Sequence, residues 1–272
     1  MFEIVFQHDP SRKDGLERPT NAEQARRRLI DGNTRFSSLW SDDSSDSQSL
    51  VVPSNLEELL PSEMGNTPEH HPFAAVLSCS DARVPTELLF FEPLNELFVV
   101  RLAGNVVGNE SVGSLDYAVQ HLKESVKLMV VLGHTRCGAV DAAVEAYLDP
   151  AHAALMTQTL GLRSVVEHIF VAVRTAAKAL RELGVTPTET ASYRSRLVAV
   201  TEVINAAIAA MTLQRILRGS MASDCGVAFG VYDLTTRQVL GPQDPGLADP
   251  PSSLEELKEL ATQVAAAYVQ RP

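Results

Sequence analysis

The sequence predicts an α/β fold built on a mostly parallel central sheet that is flanked by helices. Three short apolar runs have the length of buried strands, and they cover residues 73–78, 97–101 and 127–132. Helically spaced apolar residues separate the second run from the third, as in the crossover helix of a parallel sheet. Two further runs, 226–232 and 237–240, flank a turn and indicate a hairpin at the end of the sheet. Together these runs predict about four parallel strands plus an antiparallel edge strand.

The remaining segments are mostly helical by their spacing or composition. The first helix, 21–36, has the capping residue Asn21 and an acidic first turn. The other predicted helices cover residues 112–123, 139–148, 160–183, 193–218 and 253–268.

Two parts of the chain do not have these patterns. Residues 41–55 contain the acidic, serine-rich run DDSSDSQS and are expected to form a mobile loop. Residues 1–20 are interpreted as an N-terminal extension, and 21–272 as a single domain.

Composition limits the classes of function. The chain has 272 residues and a net charge of −11, which disfavours nucleic acid and anionic membrane surfaces as partners. No segment is expected to be long and apolar enough to span a bilayer, and the N-terminus does not resemble a signal peptide. The expected location is the cytoplasm, with a microcompartment left open. Three cysteines are too few for a disulfide framework and favour metal binding or catalysis.

The candidate metal ligands lie at the ends of two predicted strands. Cys79 follows the first strand, whereas His134 and Cys137 follow the third. Because the carboxyl ends of parallel strands open at one edge of a sheet, these three side chains can converge. Two thiolates and one imidazole suit zinc, and three protein ligands leave the fourth position open for water, as in catalytic sites.

Asp81 and Arg83 are candidate catalytic residues beside this site. A carboxylate two residues from a thiolate ligand needs a compensating charge, which Arg83 can supply as a bidentate partner. The pairing would keep Asp81 ionised, so that it can only accept hydrogen bonds and can orient a reacting water. The alternative interpretation is that Asp81 caps a helix and Arg83 is a surface residue.

Three motifs resemble those of the β-class carbonic anhydrases: CSDARV at 79–84, RLAGN at 101–105 and GHTRCGA at 133–139. The similarity extends over roughly 21–240. It implies one Zn²⁺ per subunit, held by Cys79, His134 and Cys137, and a catalytic dyad of Asp81 and Arg83. The substrate-binding positions that it implies are His70, Phe98, Ala103, Tyr117 and Gly138.

The resemblance also implies an activity and an assembly. The activity is the reversible hydration of carbon dioxide to bicarbonate and a proton, in which zinc-bound hydroxide attacks carbon dioxide and the dyad orients it. The assembly is a homodimer or a dimer of dimers, in which the N-terminal helix packs on the partner and Tyr117 reaches into the neighbouring site. Neither nucleic acid nor a membrane is an expected partner.

Four positions, His70, Val76, Ala82 and Leu102, depart from patterns found in the family, and the first two bear on the site. His70 occupies a position that is often glutamine, which leaves substrate specificity and a proton-shuttle role open. Val76 stands where one allosteric subgroup has tryptophan, so water rather than Asp81 is expected as the fourth zinc ligand. Two alternatives remain: hydrolysis of a carbon dioxide analogue such as carbon disulfide or carbonyl sulfide on the same scaffold, and a non-catalytic zinc-binding regulator.

Overall fold

The structure, a computed structural model, describes residues 2–8, 17–39, 48–55, 67–149, 151, 153–154, 159–187, 190–242 and 245–270. The strands are β1 (Phe2–His8), β2 (Gln48–Ser54), β3 (Ala74–Ser78), β4 (Leu97–Arg101), β5 (Leu128–His134), β6 (Gly226–Tyr232) and β7 (Val239–Leu240). The helices are α1 (Ala22–Ser38), α2 (Thr86–Leu89), α3 (Asn109–His121), α4 (Gly138–Leu148), α5 (Leu160–Glu182), α6 (Thr190–Leu217) and α7 (Leu254–Gln270). A 3₁₀ turn covers Ala103–Asn105.

The central sheet has five strands in the order β4-β3-β5-β6-β7. The first four are parallel to one another, and β7 is antiparallel to β6. The predicted fold class, with four parallel strands and an antiparallel edge strand, is therefore confirmed. In the register of the sheet, Ser78 lies between Arg101 and Leu132, so β3, β4 and β5 reach the same edge together.

The two faces of the sheet are buried by different helices. On β3, Ala75 and Leu77 face one apolar core, which contains residues of α3 to α7, whereas Ala74 and Val76 face the other. Alternation of side chains along a strand explains this division. Every residue of β5 is buried, as expected for a parallel strand covered on both faces.

Helix α1 packs against the second face of this chain's own sheet. Its residues Ala25, Leu29 and Phe36 are buried in that core. Gly32 permits the close approach of α1 to the end of α2, since a Cβ at this position would lie 1.8 Å from the carbonyl oxygen of Phe90. The predicted packing of this helix on a dimer partner stays a prediction.

The expectation of a mobile loop over 41–55 is wrong for the second half of this segment. Residues 48–54 form β2, which pairs in parallel with β1 in a separate two-stranded sheet that includes part of the N-terminal extension. The reason is the apolar alternation at the end of the segment, because Val52 is fully buried while Val51 is 40% exposed. Residues 40–47 lie outside the described residues.

The expectation that no segment could span a bilayer is also wrong on length and composition. Within α6, Ser192–Leu217 contains a window of 18 residues with a mean hydropathy of 1.6. Of this window, 72% is buried inside the structure. Helix α6 packs against β5, β6, α5 and α7, so its apolar surface belongs to the core.

Candidate metal centre

Cys79, His134 and Cys137 converge at the carboxyl edge of the sheet. Cys79 follows β3, His134 is the last residue of β5, and Cys137 immediately precedes α4. One ligand atom from each residue lies within 4.8 Å of the other two, and all three side chains are buried. The convergence predicted from strand order is therefore present, and the group could hold a metal ion.

The imidazole of His134 is arranged as a metal ligand. Its Nδ1 lies 2.9 Å from the carbonyl oxygen of Thr135, which fixes this nitrogen as the donor and leaves the lone pair on Nε2. Nε2 is buried and has no hydrogen-bond partner among the residues that the structure describes. A buried ring nitrogen without a partner is costly, and a metal ion beside the two thiols would satisfy it. The donor set of two sulfurs and one nitrogen fits zinc.

The two thiols differ in their readiness to ionise. A hydrogen bond from the Cys137 thiol lowers the pKa of the Cys79 thiol, and contacts with His134 and nearby backbone N–H groups act in the same direction. The neighbouring Cys79 thiolate, together with burial, raises the pKa of Cys137. Thiols bind a metal ion as thiolates, so binding would release protons from this pair.

The loop containing Gly104 supports the sulfur of Cys79. The Gly104 N–H donates to Cys79 Sγ at 3.4 Å. Gly104 has a φ of +64°, and a Cβ here would lie 2.8 Å from Ile169 Cδ1 and 3.1 Å from Ala139 Cβ. Both the backbone conformation and the close packing require glycine at this position.

Asp81 and Arg83 form a bidentate pair. Arg83 donates from Nε to Asp81 Oδ1 at 2.9 Å and from Nη2 to Oδ2 at 2.7 Å. These bonds hold the pKa of Asp81 well below its ordinary value. Asp81 Oδ2 also lies 3.8 Å from His134 Nε2, so an ionised acceptor stands beside the candidate ligands. Asp81 does not cap a helix, since residues 82 and 83 form a turn and α2 begins only at Thr86, whereas Arg83 is exposed, as the alternative interpretation expected.

Arg101, at the end of β4, holds the backbone around Cys79. It donates from Nε to the Cys79 carbonyl at 3.1 Å and from Nη2 to the Asp81 carbonyl at 2.5 Å. Arg83 Nη2 adds a 3.3 Å bond to the carbonyl of Arg136, which lies in the turn between the other two ligands. These arginines link the segments that carry the ligands and the dyad.

Helix α6 supplies two buried polar groups behind the centre. Glu202 Oε1 accepts a hydrogen bond from the Cys137 N–H at 2.9 Å, and Asn205 Nδ2 donates to the Gly104 carbonyl at 2.8 Å. Burial raises the pKa of Glu202 to about 7, although the bond from Cys137 opposes this shift. Sequence reasoning missed both residues. The available signal was a polar pair, three residues apart, in the mostly apolar middle of the helix, and this signal does not tell what the pair contacts.

The predicted substrate residues form a more open surface. His70 and Phe98 stack with ring centroids 5.8 Å apart, and the Phe98 centroid lies 6.4 Å from that of Tyr117. Tyr117 is 50% exposed. Ala103 and Gly138 are exposed as well, each next in sequence to a residue of the centre, Gly104 or Cys137. The structure thus brings three of the five candidates into one aromatic row and places the other two beside the ligand loops.

Comparison with known proteins agrees with this site. The family model described as carbonic anhydrase matches residues 74–239. A carbonic anhydrase of Mycolicibacterium smegmatis is 40% identical over 127 residues, which are 47% of this chain and 55% of the relative. Carbonic anhydrase 2 of Mycobacterium tuberculosis is 47% identical over 78 residues, which are 29% of this chain and 37% of the relative. The chain therefore spans about half, or less, of the length of these curated relatives.

Among solved structures, that of the β-carbonic anhydrase CcaA aligns with 63% of this chain and 80% of its own, at 19% identity and a TM-score of 0.48. The family model covers more than half of the chain, and its range includes β3 to the start of β7, the three candidate ligands and the dyad. The chain belongs to the carbonic anhydrase family, in its β class.

Proposed function

We propose that the protein catalyses the zinc-dependent, reversible hydration of carbon dioxide to bicarbonate and a proton. The observation that carries this proposal is the buried donor set of Cys79, His134 and Cys137. Its imidazole nitrogen Nε2 has no hydrogen-bond partner among the described residues and lies beside a carboxylate that an arginine holds. A regulatory protein with a purely structural metal would be expected to have a fourth protein ligand, and among the described residues the cluster contains three.

The three residues would hold one Zn²⁺ per subunit. When bound, zinc makes water acidic enough to supply hydroxide near neutral pH, for which carbonic anhydrases with three histidine ligands are the standard example. Two thiolates carry more negative charge than two imidazoles. We therefore expect the activity of this protein to rise with pH above neutrality.

Asp81 has the properties needed to orient the reacting water. It is ionised, so it accepts a hydrogen bond and turns the water oxygen's lone pair towards the substrate. Both of its oxygens are bonded to Arg83, which restrains the carboxylate in place. This pairing, together with Val76 on β3, supports water rather than Asp81 as the fourth ligand.

Phe98, Ala103, Tyr117 and Gly138 are proposed to contact carbon dioxide, with His70 at the rim. An apolar wall suits a small apolar gas, and the aromatic row provides one. Half of the surface of Tyr117 is exposed in a single chain, which supports a homodimer or a dimer of dimers that covers this face. A cytoplasmic location remains a prediction.

A stopped-flow hydration assay on wild type and Asp81→Asn tests the proposed function. Loss of the ionised acceptor should reduce kcat/KM by about 100-fold or more while zinc content stays the same. Asp249→Asn is a matched control, because Asp249 also pairs with an arginine, Arg26, and is far from the candidate ligands in the sequence. Full activity of Asp81→Asn would contradict the proposal. Hydrolysis of carbon disulfide or carbonyl sulfide faster than hydration of carbon dioxide would support the analogue hydrolase instead.

A further inference from the structure

We propose that Glu202 and Asn205 are positioning residues that hold the two cysteine ligands from behind and so set the geometry and donor strength of the metal centre. The inference rests on the metal site of the proposed function. It concerns how tightly and in what arrangement the site holds a metal, and it does not depend on which substrate is turned over.

The two residues act from one face of α6. Side chains three positions apart on a helix lie on the same side. The helix comes close to the ligand-bearing strand at Gly133, where a Cβ would lie 3.4 Å from Ala206 Cβ and 3.5 Å from the carbonyl oxygen of Glu202. This approach brings the polar pair within reach of both ligand loops.

Glu202 holds the loop of Cys137. Its carboxylate accepts from the Cys137 N–H at 2.9 Å, and this bond is buried. The preceding residue, Arg136, has a φ of +57°, a left-handed conformation that is unfavourable for a residue with a Cβ. The bond from Glu202 therefore stabilises the strained turn that positions the Cys137 sulfur.

Asn205 holds the loop that contacts Cys79. Its amide donates to the carbonyl of Gly104 at 2.8 Å, and the N–H of the same glycine donates to Cys79 Sγ at 3.4 Å. A hydrogen bond to the sulfur fixes its position and the direction of its lone pairs, as outer-shell partners do for other metal ligands. Asn205 thus controls, through Gly104, how strongly Cys79 would bind a metal.

Burial explains why this pair differs from ordinary helix residues. Polar groups inside an apolar helix are costly unless they are bonded, and both of these bonds go to ligand loops. The adjacent Thr201 is equally buried, but its hydroxyl donates at 2.6 Å to the carbonyl of Leu197 in its own helix. Thr201 therefore provides a matched control, since the bond of its hydroxyl within the described part of the chain stays inside α6.

The test uses the full chain loaded with zinc or with cobalt(II). Zinc affinity is measured by competition with a chelator, and the cobalt(II) absorption spectrum reports the thiolate-to-metal charge-transfer bands. Glu202→Leu and Asn205→Leu should each weaken zinc binding by about 10- to 100-fold and shift these bands. Glu202→Gln, which keeps the shape and an acceptor oxygen, should recover part of the loss. Thr201→Val should match wild type in both measurements.

Zinc affinity and cobalt(II) spectra that are unchanged in Glu202→Leu and Asn205→Leu would overturn the inference, even if both variants melt at lower temperature. If either leucine variant fails to fold, Glu202→Gln and Asn205→Asp carry the test, since both preserve side-chain volume. If wild type binds cobalt(II) but does not hydrate carbon dioxide, the proposed function is contradicted. The differences in zinc affinity and cobalt(II) spectra among the variants would still decide this inference.

Discussion

The ligand loops and the aromatic row are held in different ways. In the loops, backbone groups of the ligand residues are bonded by side chains from other elements: Arg101 binds the Cys79 carbonyl and Glu202 binds the Cys137 N–H. In the row of His70, Phe98 and Tyr117, the contacts are between rings, and Tyr117 is half exposed. The three candidate metal ligands thus come from one chain, whereas the aromatic row is open at Tyr117.

The difference follows from the physics of the two kinds of contact. Hydrogen bonds in a buried setting are directional and strengthen one another, so they fix the positions of the sulfurs. A ring contact contributes only about 0.5–1.5 kcal/mol beyond burial and tolerates several arrangements. Changes in the ligand loops should therefore affect metal binding, and changes in the aromatic row should affect substrate use alone.

The largest effect is expected for Cys79→Ala. Removal of one of three ligands should reduce zinc content after dialysis to near zero and reduce hydration to the uncatalysed rate. Cys225→Ala is the control, because Cys225 is also a free thiol but lies outside the cluster. Metal analysis of both variants checks this prediction. Retention of one zinc ion per chain by Cys79→Ala would show that the ligands are assigned incorrectly.

A smaller effect is expected for Tyr117→Ala on the aromatic row. Loss of one apolar wall should reduce kcat/KM by roughly 10-fold and leave zinc content unchanged. If a second copy covers this face, the specific activity of wild type should also fall on dilution. Leu160→Ala, at a highly exposed apolar residue of α5, serves as the control. Zinc loss from Tyr117→Ala would show that the two regions are not separable.

His70→Ala tests whether the rim of the row transfers protons. An imidazole can pass protons between bound water and buffer, so a shuttle at this position should limit turnover only when buffer is scarce. We expect a several-fold loss at low buffer concentration and recovery on addition of imidazole. His168→Ala, another exposed histidine, is the control. Full turnover of His70→Ala at low buffer concentration would rule out the shuttle.

The smallest effect is expected in a buried ion cluster outside both regions. Arg28 bonds both Glu92 and Glu96, and burial raises the pKa of Glu92 from 4.5 to about 7. The raised pKa means that the Glu92 carboxyl holds its proton more tightly in the folded state than in the unfolded state. Glu92 therefore stabilises the folded state at low pH. That contribution is lost as pH rises from about 4.5 to about 7.

Glu92→Gln should remove part of this pH dependence. The free energy of unfolding is measured in urea at about pH 5 and about pH 8. Its difference between the two pH values should be smaller for Glu92→Gln than for wild type. Some dependence of stability on pH should remain, since Glu202 also has a raised pKa. Zinc content should not change. If the free energy of unfolding changes equally with pH in wild type and Glu92→Gln, the pKa of Glu92 is not raised in the folded chain.

The sheet and the ligands were predictable because their signals are local. The runs at 97–101 and 226–232 coincide with β4 and β6, and the ligands follow strand ends that a parallel sheet must bring together. Strand β2 was missed, since the acidic composition before it outweighed the short alternation around Val52. The hairpin strand expected over 237–240 is limited to Val239–Leu240.

The supporting residues could not be predicted in the same way. Glu202 contacts a residue 65 positions away, and Asn205 contacts one 101 positions away. Nothing local to α6 distinguishes a side chain that bonds a distant loop from one that bonds its own helix, as Thr201 does. Such contacts depend on how α6 is rotated against β5, which the packing of the whole core determines.

The apolar character of α6 has a consequence for biosynthesis. A ribosome releases this helix before β6, one of the two strands that cover it, because β6 follows it in the chain. Until β6 docks, the nascent chain presents a segment with the length and hydropathy of a membrane-crossing helix. Variants that delay closure of the sheet should therefore be recovered with membranes or aggregates. Closure of the sheet therefore covers this helix as well as bringing the candidate ligands together.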